Sequence, residues 1–111
     1  MHEVSIMMSI MDVALKTAKE EKASRIGKIS LTIGAKSGVV VDSLEFAFEM
    51  VAKDTIAEQA VLEIETTPLK GECLSCGRIF ESEEFLICDR CGNFAKALSG
   101  QELQIRSITV E

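Results

Sequence analysis

The four cysteines of this 111-residue chain fall into two C-x-x-C pairs, Cys73 with Cys76 and Cys88 with Cys91. Each pair can present two sulfurs through a short turn, and the eleven residues between the pairs let both reach one tetrahedral ion. Segment 71–97 is short and charged, so it has little apolar surface with which to close a core of its own. The pattern predicts a zinc site that is part of the fold of this segment.

Two other uses of cysteine pairs stay open. Disulfides belong to oxidising compartments, and the start Met1-His2-Glu3 has no basic region, long apolar run or cleavage site that would indicate one. A dithiol redox site of the thioredoxin kind needs only one pair, at a helix start, and leaves the second pair unexplained. A closed four-thiolate zinc site uses all four sulfurs. Because it leaves no position for water or substrate, we do not expect catalysis at this ion.

Length and charge restrict the functions open to the chain. With 47% hydrophobic and 27% charged residues in 12.1 kDa, one modest folded core with a small satellite is expected. No apolar stretch approaches the roughly 18 residues of a spanning helix, so we expect no membrane and a cytoplasmic location. A net charge of -6 and a pI near 4.8 oppose nucleic-acid binding, which needs clustered Lys and Arg. A zinc-ribbon module that binds protein or nucleic acid remains the alternative function.

Two segments have the apolar spacing of amphipathic helices. Residues 6–21 repeat apolar side chains at helical period, and Ser5 is the predicted N-cap, after a short strand at the start of the chain. The methionines in this segment are expected to be core packing, since Met at helical spacing is far more often core than ligand. The second helix is predicted to begin at a capping box, residues 42–45, with Val41 and Phe46 as a hydrophobic staple.

Two segments alternate apolar and polar residues with the period of strands, 25–34 and 60–66. A final strand is predicted over 103–110, where the alternation shifts between Ile105 and Ile108, which indicates a bulge or a strand buried on both faces. The order predicts an α+β fold: two helices packed on a small mixed β-sheet, with an inserted four-cysteine zinc-ribbon-like lobe. We expect residues 1–69 plus 99–111 to form the α/β domain and residues 70–98 to form the zinc-binding lobe. The strands on either side of the lobe are expected to pair antiparallel. Three phenylalanines are expected to cover the metal: Phe80, Phe85 and Phe94.

His2 is the single histidine of the chain and directly follows Met1. The terminal amine, the His2 backbone amide and the His2 ring nitrogen can surround one ion, and Glu3 can add an amide nitrogen or its carboxylate. Such nitrogen-rich square-planar surroundings suit Ni(II) or Cu(II). A frayed terminus whose histidine has no role is the simpler alternative. Elsewhere the sequence offers no motif that pairs a nucleophile with a base, so an enzyme is not expected.

Together these residues resemble the HypA/HybF family of hydrogenase maturation nickel metallochaperones, over the whole length of the chain. Five stretches carry the resemblance: Met1-His2-Glu3-x-Ser5; Ile33-Gly34 with Ser37-Gly38-Val39; Leu44-x-Phe46-Ala47-Phe48-Glu49; the two C-x-x-C pairs; and Ser99-Gly100-x-Glu102-Leu103. Each stretch alone is unspecific, and the combination is highly specific. Many relatives have Pro after the third cysteine, where this chain has Asp89, a difference that alters a turn and removes no ligand.

The resemblance implies a metallochaperone that carries Ni(II) as cargo for [NiFe]-hydrogenase maturation, with urease served as well by some relatives. It implies nickel at His2, with contributions from Met1 and Glu3, and with Asp42 as a nearby acid. It also implies structural Zn(II) at the four cysteines and makes the α/β domain the nickel-binding domain. The implied partners are the nickel-handling GTPase of hydrogenase maturation and the hydrogenase large subunit precursor, with the chain a monomer or weak homodimer.

Overall fold

The computed structural model describes residues 2–111, which form two helices and six strands. In chain order these are α1 Glu3–Glu20, β1 Ile26–Gly34, α2 Val41–Ala52, β2 Val61–Thr67, β3 Leu69–Cys73, β4 Ile79–Ser82, β5 Ala95–Ser99 and β6 Leu103–Val110. The strands form two three-stranded sheets, in the orders β2-β1-β6 and β4-β3-β5. The predicted α+β class, with two helices, a small mixed sheet and a four-cysteine lobe, is confirmed.

Helix α1 begins at Glu3, with His2 in the N-cap position. The predicted N-cap at Ser5 is therefore wrong. The predicted short strand before the helix is also wrong, because the structure, which describes the chain from residue 2 onward, has no strand there. The carbonyl of His2 accepts a hydrogen bond from the N–H of Ile6 at 2.9 Å, which adds a helical turn ahead of the apolar repeat. The predicted inward stripe is buried: Met7, Ile10, Met11, Ala14 and Ala18.

Helix α2 begins at Val41, with Val40 in the N-cap position and no side-chain cap from Val40 itself. The predicted capping box is wrong, because Asp42 lies inside the first turn instead of ahead of it. The N–H of Val40 donates instead to the carboxylate Oε2 of Glu3 at 3.1 Å, so an acid from α1 serves the start of α2. Phe46 is 63% exposed, which also excludes the predicted staple.

Strand β1 is the centre of its sheet, and its consecutive residues Ile29, Ser30 and Leu31 are all buried. The Arg25 N–H donates to the Glu111 carbonyl and the Glu111 N–H to the Arg25 carbonyl, the exchange typical of antiparallel pairing with β6. The contacts between the β1 segment and β2 advance in the same direction along both segments, from Ser30 with Glu63 to Ala35 with Thr67, as in a parallel pair. The expected direct pairing of the strands that flank the lobe is wrong, since β1 lies between β2 and β6.

The second sheet is antiparallel, with β3 in the middle. Its small core contains Cys73, Phe80 and Cys88, with Ala95 packed against it. Phe80 is buried as expected, whereas Phe85 and Phe94 are 66% and 76% exposed. The prediction that all three phenylalanines would cover the metal is therefore wrong for two of them.

By their internal contacts the residues group into two compact units. The first contains Met1–Leu31, Val39–Ile64 and Ile105–Glu111, and α1 packs against α2 within it. The second contains Thr32–Gly38 and Glu65–Gln104, and thus the four cysteines. The assignment of residues 1–69 plus 99–111 to a nickel-binding domain and of residues 70–98 to a zinc-binding lobe stays a prediction. Neither helix found in residues 2–111 has the combination of length and apolarity needed to cross a bilayer.

Candidate metal centres

The first C-x-x-C pair forms a tight turn at the end of β3. The Cys73 carbonyl accepts a hydrogen bond from the Gly77 N–H at 3.1 Å, and Gly77 has a φ of 76°. That left-handed conformation favours glycine, which explains the residue after Cys76. Inside the turn, the N–H groups of Ser75 and Cys76 both approach the Cys73 sulfur, at 3.4 Å each. Two donors pointed at one sulfur favour its thiolate form.

The second pair repeats this arrangement. The Gly92 N–H donates to the Cys88 carbonyl at 3.0 Å, and Gly92 has a φ of 77°. The Arg90 N–H lies 3.4 Å from the Cys88 sulfur, and the Asn93 side-chain amide donates to the Cys91 sulfur at 3.5 Å. The two turns are thus matched knuckles, each with a sulfur that accepts backbone hydrogen bonds.

The two knuckles bring all four sulfurs together, within 4.8 Å of one another. The measured separations are 3.4 Å for Cys73 with Cys91, 3.7 Å for Cys76 with Cys88 and 3.8 Å for Cys76 with Cys91. A regular tetrahedron with metal–sulfur bonds of about 2.3 Å has sulfurs about 3.8 Å apart. All four cysteines are free thiols, so the sulfurs have the spacing of ligands around one ion and not of disulfides. The donor set and its geometry fit zinc.

The pKa values of Cys73, Cys76 and Cys88 are shifted in different directions. The Cys76 N–H, followed by the Ser75 N–H, lowers the pKa of Cys73 to about 6. Hydrogen bonds from the N–H groups of Cys91 and Arg90 likewise lower the pKa of Cys88. For Cys76, the Arg78 N–H acts to lower the pKa, but the neighbouring Cys73 thiol, burial and the Cys88 thiol outweigh it and raise the pKa to about 11. Four adjacent thiolates need a cation, and a bound metal ion supplies one.

An ion pair that the sequence did not predict joins the two knuckles. Arg78 Nε lies 2.6 Å from Asp89 Oδ1, and its Nη2 lies 3.2 Å from Oδ2, a two-pronged contact between residues near different cysteine pairs. The hydrogen bond from Arg78 holds the pKa of Asp89 below its ordinary value. Reciprocally, Asp89 raises the pKa of Arg78, with smaller effects from the charges of Cys88 and Cys76. The signal in the sequence was an arginine two residues after Cys76 and an acid directly after Cys88.

Of the predicted nickel residues, His2 and Glu3 lie at the start of α1. Met1 is outside the described residues. His2 is exposed and its carbonyl is held by the first turn of α1, whereas Glu3 is only 5% exposed and its carboxylate accepts from Val40. Glu3 and Asp42 line the same surface depression, so the structure brings these two acids to one place. The depression is also lined by Ser43 and by four apolar residues, Val4, Phe46, Ala47 and Met50.

Within residues 2–111, the four cysteines are the one group of three or more His, Cys, Asp or Glu side chains with metal-binding spacing. Side chains of the described residues therefore form no second complete metal site.

Fold and site together define a small α+β protein with a four-cysteine metal-binding cluster. The family model for "Hydrogenase/urease nickel incorporation, metallochaperone, hypA" matches residues 1–110. The hydrogenase maturation factor HypA of Chlorobaculum parvum is 42% identical over 113 residues, covering 100% of both chains. The protein of the same name from Geobacter metallireducens is 40% identical over 113 residues, again with 100% of each chain covered. This chain belongs to the HypA family of metallochaperones, which are hydrogenase maturation factors and not enzymes.

Two solved structures share the fold. The solution structure of the Ni metallochaperone HypA from Helicobacter pylori superposes with a TM-score of 0.69 at 24% identity, covering 99% of this chain and 97% of that one. A second HypA solution structure gives a TM-score of 0.74 at 23% identity, covering 100% and 97%. At these identities the likeness establishes the architecture alone.

Proposed function

We propose that this chain binds Ni(II) as cargo at its N-terminus and delivers it for [NiFe]-hydrogenase maturation, while Zn(II) at the four cysteines holds the second compact unit together. The observation that carries the proposal is the position of His2. It is exposed, its main chain is fixed at the N-cap of α1, and it adjoins an acid-lined depression. The family model, whose description names nickel incorporation, supports the choice of ion.

Zinc is the ion we assign to Cys73, Cys76, Cys88 and Cys91. Four sulfurs at tetrahedral spacing match its preference, and a fully coordinated ion has no open position for exchange. Zinc in this cage is therefore a permanent part of the fold. Nickel needs the opposite, an accessible site from which stepwise ligand exchange can proceed.

For nickel, the proposed ligands are the Met1 terminal amine, the His2 amide and ring nitrogens, and a main-chain nitrogen of Glu3. The contact between the Glu3 carboxylate and Val40 favours the nitrogen of Glu3 over its carboxylate, since that carboxylate is already buried against α2. Asp42, at the same depression, is placed to accept a hydrogen bond from a ligand or to bind the ion at an open position. Nickel accepts deprotonated amides that zinc does not, and this difference separates the two ions.

Delivery requires a recipient. We propose that the nickel-handling GTPase of hydrogenase maturation and the hydrogenase large subunit precursor are the partners, in the cytoplasm, with the chain a monomer or weak homodimer; urease is a further candidate client. The family's role in hydrogenase maturation supports contact with that machinery. The net charge of -6 favours partners with basic surfaces.

The test is a nickel titration of zinc-loaded protein with an unblocked N-terminus. We expect uptake of about one nickel per chain with a square-planar absorption band, lost in His2→Ala and weakened in Asp42→Asn. A Ser5→Ala variant is the matched control, because Ser5 is exposed on the same helical turn and provides no proposed ligand. Stoichiometric nickel of comparable affinity in His2→Ala would contradict the assignment. One extra residue placed before Met1 should also abolish the band, because it displaces the terminal amine.

A further inference from the structure

The contact between Arg78 and Asp89 links the two cysteine knuckles. Arg78 follows Cys76 by two residues, and Asp89 directly follows Cys88, so the pair ties one knuckle to the other. Both prongs of the guanidinium are used, at 2.6 and 3.2 Å. The Arg78 and Asp89 side chains are 37% and 55% exposed, so the ion pair lies at the surface. A planar two-pronged contact fixes orientation as well as distance.

The Arg78–Asp89 pair differs from the ion pairs on the second sheet, because it joins two segments that carry different cysteine pairs. Lys96, by comparison, pairs with Glu72 at 3.1 Å on the sheet and is the basic member of an ordinary surface ion pair.

We propose that Arg78 is a positioning residue of the four-cysteine centre, which slows metal loss by holding the two knuckles together through Asp89. The inference rests on the proposed zinc site. A competing ligand would reach a bound ion more easily if the two knuckles moved apart, and the contact between Arg78 and Asp89 opposes that movement.

The experiment measures zinc release from the full zinc-loaded chain to excess EDTA. We expect Arg78→Gln to accelerate release by about five- to tenfold, the scale of a lost outer-shell partner. Asp89→Asn should give a smaller acceleration, because the Asn amide oxygen can still accept one hydrogen bond from the guanidinium. Arg78→Lys should restore part of the effect, since a single ammonium can still pair with Asp89 but lacks the fork. Lys96→Gln removes an equal charge from strand β5 and should change the rate by less than about twofold.

A second measurement separates positioning from a general loss of stability. In the Co(II)-substituted protein, the thiolate-to-metal charge-transfer band should shift in Arg78→Gln and stay in place in Lys96→Gln. Equal release rates in Arg78→Gln and the unmodified chain, or equal acceleration in Arg78→Gln and Lys96→Gln, would overturn the inference and leave the zinc assignment intact. Absence of about one tightly bound zinc per unmodified chain would instead defeat the zinc assignment itself.

Discussion

The carboxylate of Glu3 accepts a hydrogen bond from the backbone N–H of Val40 at 3.1 Å, and this contact joins the first turn of α1 to the start of α2. An acid at this point is favourable twice, because the N-terminal ends of both helices carry partial positive charge. The contact also explains how an acidic side chain comes to be only 5% exposed. His2 precedes this anchored residue, so its main chain is held at the edge of the helix pair.

Replacing Glu3 by Ala should therefore affect both stability and nickel. We expect the thermal midpoint to fall by about 3–6 °C, because the Val40 N–H loses its acceptor in a partly buried position. Nickel should bind more weakly as the His2 main chain loses its anchor. Glu3→Gln should lose less, since its amide oxygen can still accept. Circular dichroism and nickel titration measure the two effects, and Glu20→Ala, exposed at the other end of α1, is the control. A Glu3→Ala protein with unchanged melting would refute the anchoring role.

The elements whose order was predicted correctly are those set by local periodicity. The buried stripe of α1 repeats every three to four residues, and β1 alternates, so both could be found from the chain alone. The helix starts could not, because the group that caps Val40 belongs to Glu3, far away in the sequence. The central place of β1 also depends on which strands meet, which periodicity does not encode.

The same distinction between local and long-range information applies to the candidate metal centre. Spacing was enough to predict that four sulfurs converge, because two C-x-x-C turns have a narrow set of geometries. The Arg78–Asp89 contact depends on how the two turns face each other, and neither residue belongs to a ligand motif. Phe85 and Phe94 look like core residues by type, but the small sheet has room to bury only Phe80 beside the cysteines.

Removing the zinc should unfold the cysteine unit first. The core around Cys73, Phe80 and Cys88 is too small to hold the sheet alone, so we expect Cys88→Ser or chelator treatment to abolish amide protection in β3, β4 and β5. Hydrogen exchange measured by mass spectrometry would show this, with α1 retaining its protection. Ser75→Ala is the control within the same knuckle, because Ser75 contributes its backbone N–H and no sulfur ligand. Protection that persists after complete metal removal would contradict a structural role for zinc.

Gly34 and Gly100 lie in close contact, and neither position has room for a side chain. A Cβ added at Gly34 would overlap the backbone of Gly100 and Gln101, and Gly100 has a φ of 107° with the Leu69 backbone beside it. Since the backbone cannot yield locally, Gly34→Ala should destabilise the protein by about 2–3 kcal/mol in urea unfolding.

Gly27, in the same strand, provides the matched control for Gly34. A Cβ at Gly27 meets only the flexible side chain of Glu111, so Gly27→Ala should cost less than about 1 kcal/mol. Similar unfolding free energies for the two variants would show that the close approach of Gly34 and Gly100 is not what excludes larger residues.

The ion cluster around Glu63 should make stability depend on pH. Glu63 lies 3.1 Å from Lys28 and 2.7 Å from Arg106, and Ser30 donates to it at 3.2 Å. The hydrogen bond from Lys28, followed by that from Ser30, holds the pKa of Glu63 below its ordinary value. A carboxyl whose pKa is lower in the folded state stabilises the fold above its unfolded pKa of about 4.3, and that stabilisation is lost as pH falls through the folded value.

Glu63→Gln should accordingly lower the thermal midpoint at pH 7 by about 2–3 °C, a modest change because the cluster is partly exposed. The difference from the unmodified chain should shrink as the pH falls through the lowered pKa of Glu63, because the carboxylate of the unmodified chain then becomes protonated itself. Melting curves at pH 7, 5 and 3 measure this, with Glu45→Gln as a control at an exposed position of α2. A difference that stays constant across the three pH values would mean that packing of the side chain, and not its charge, accounts for the loss.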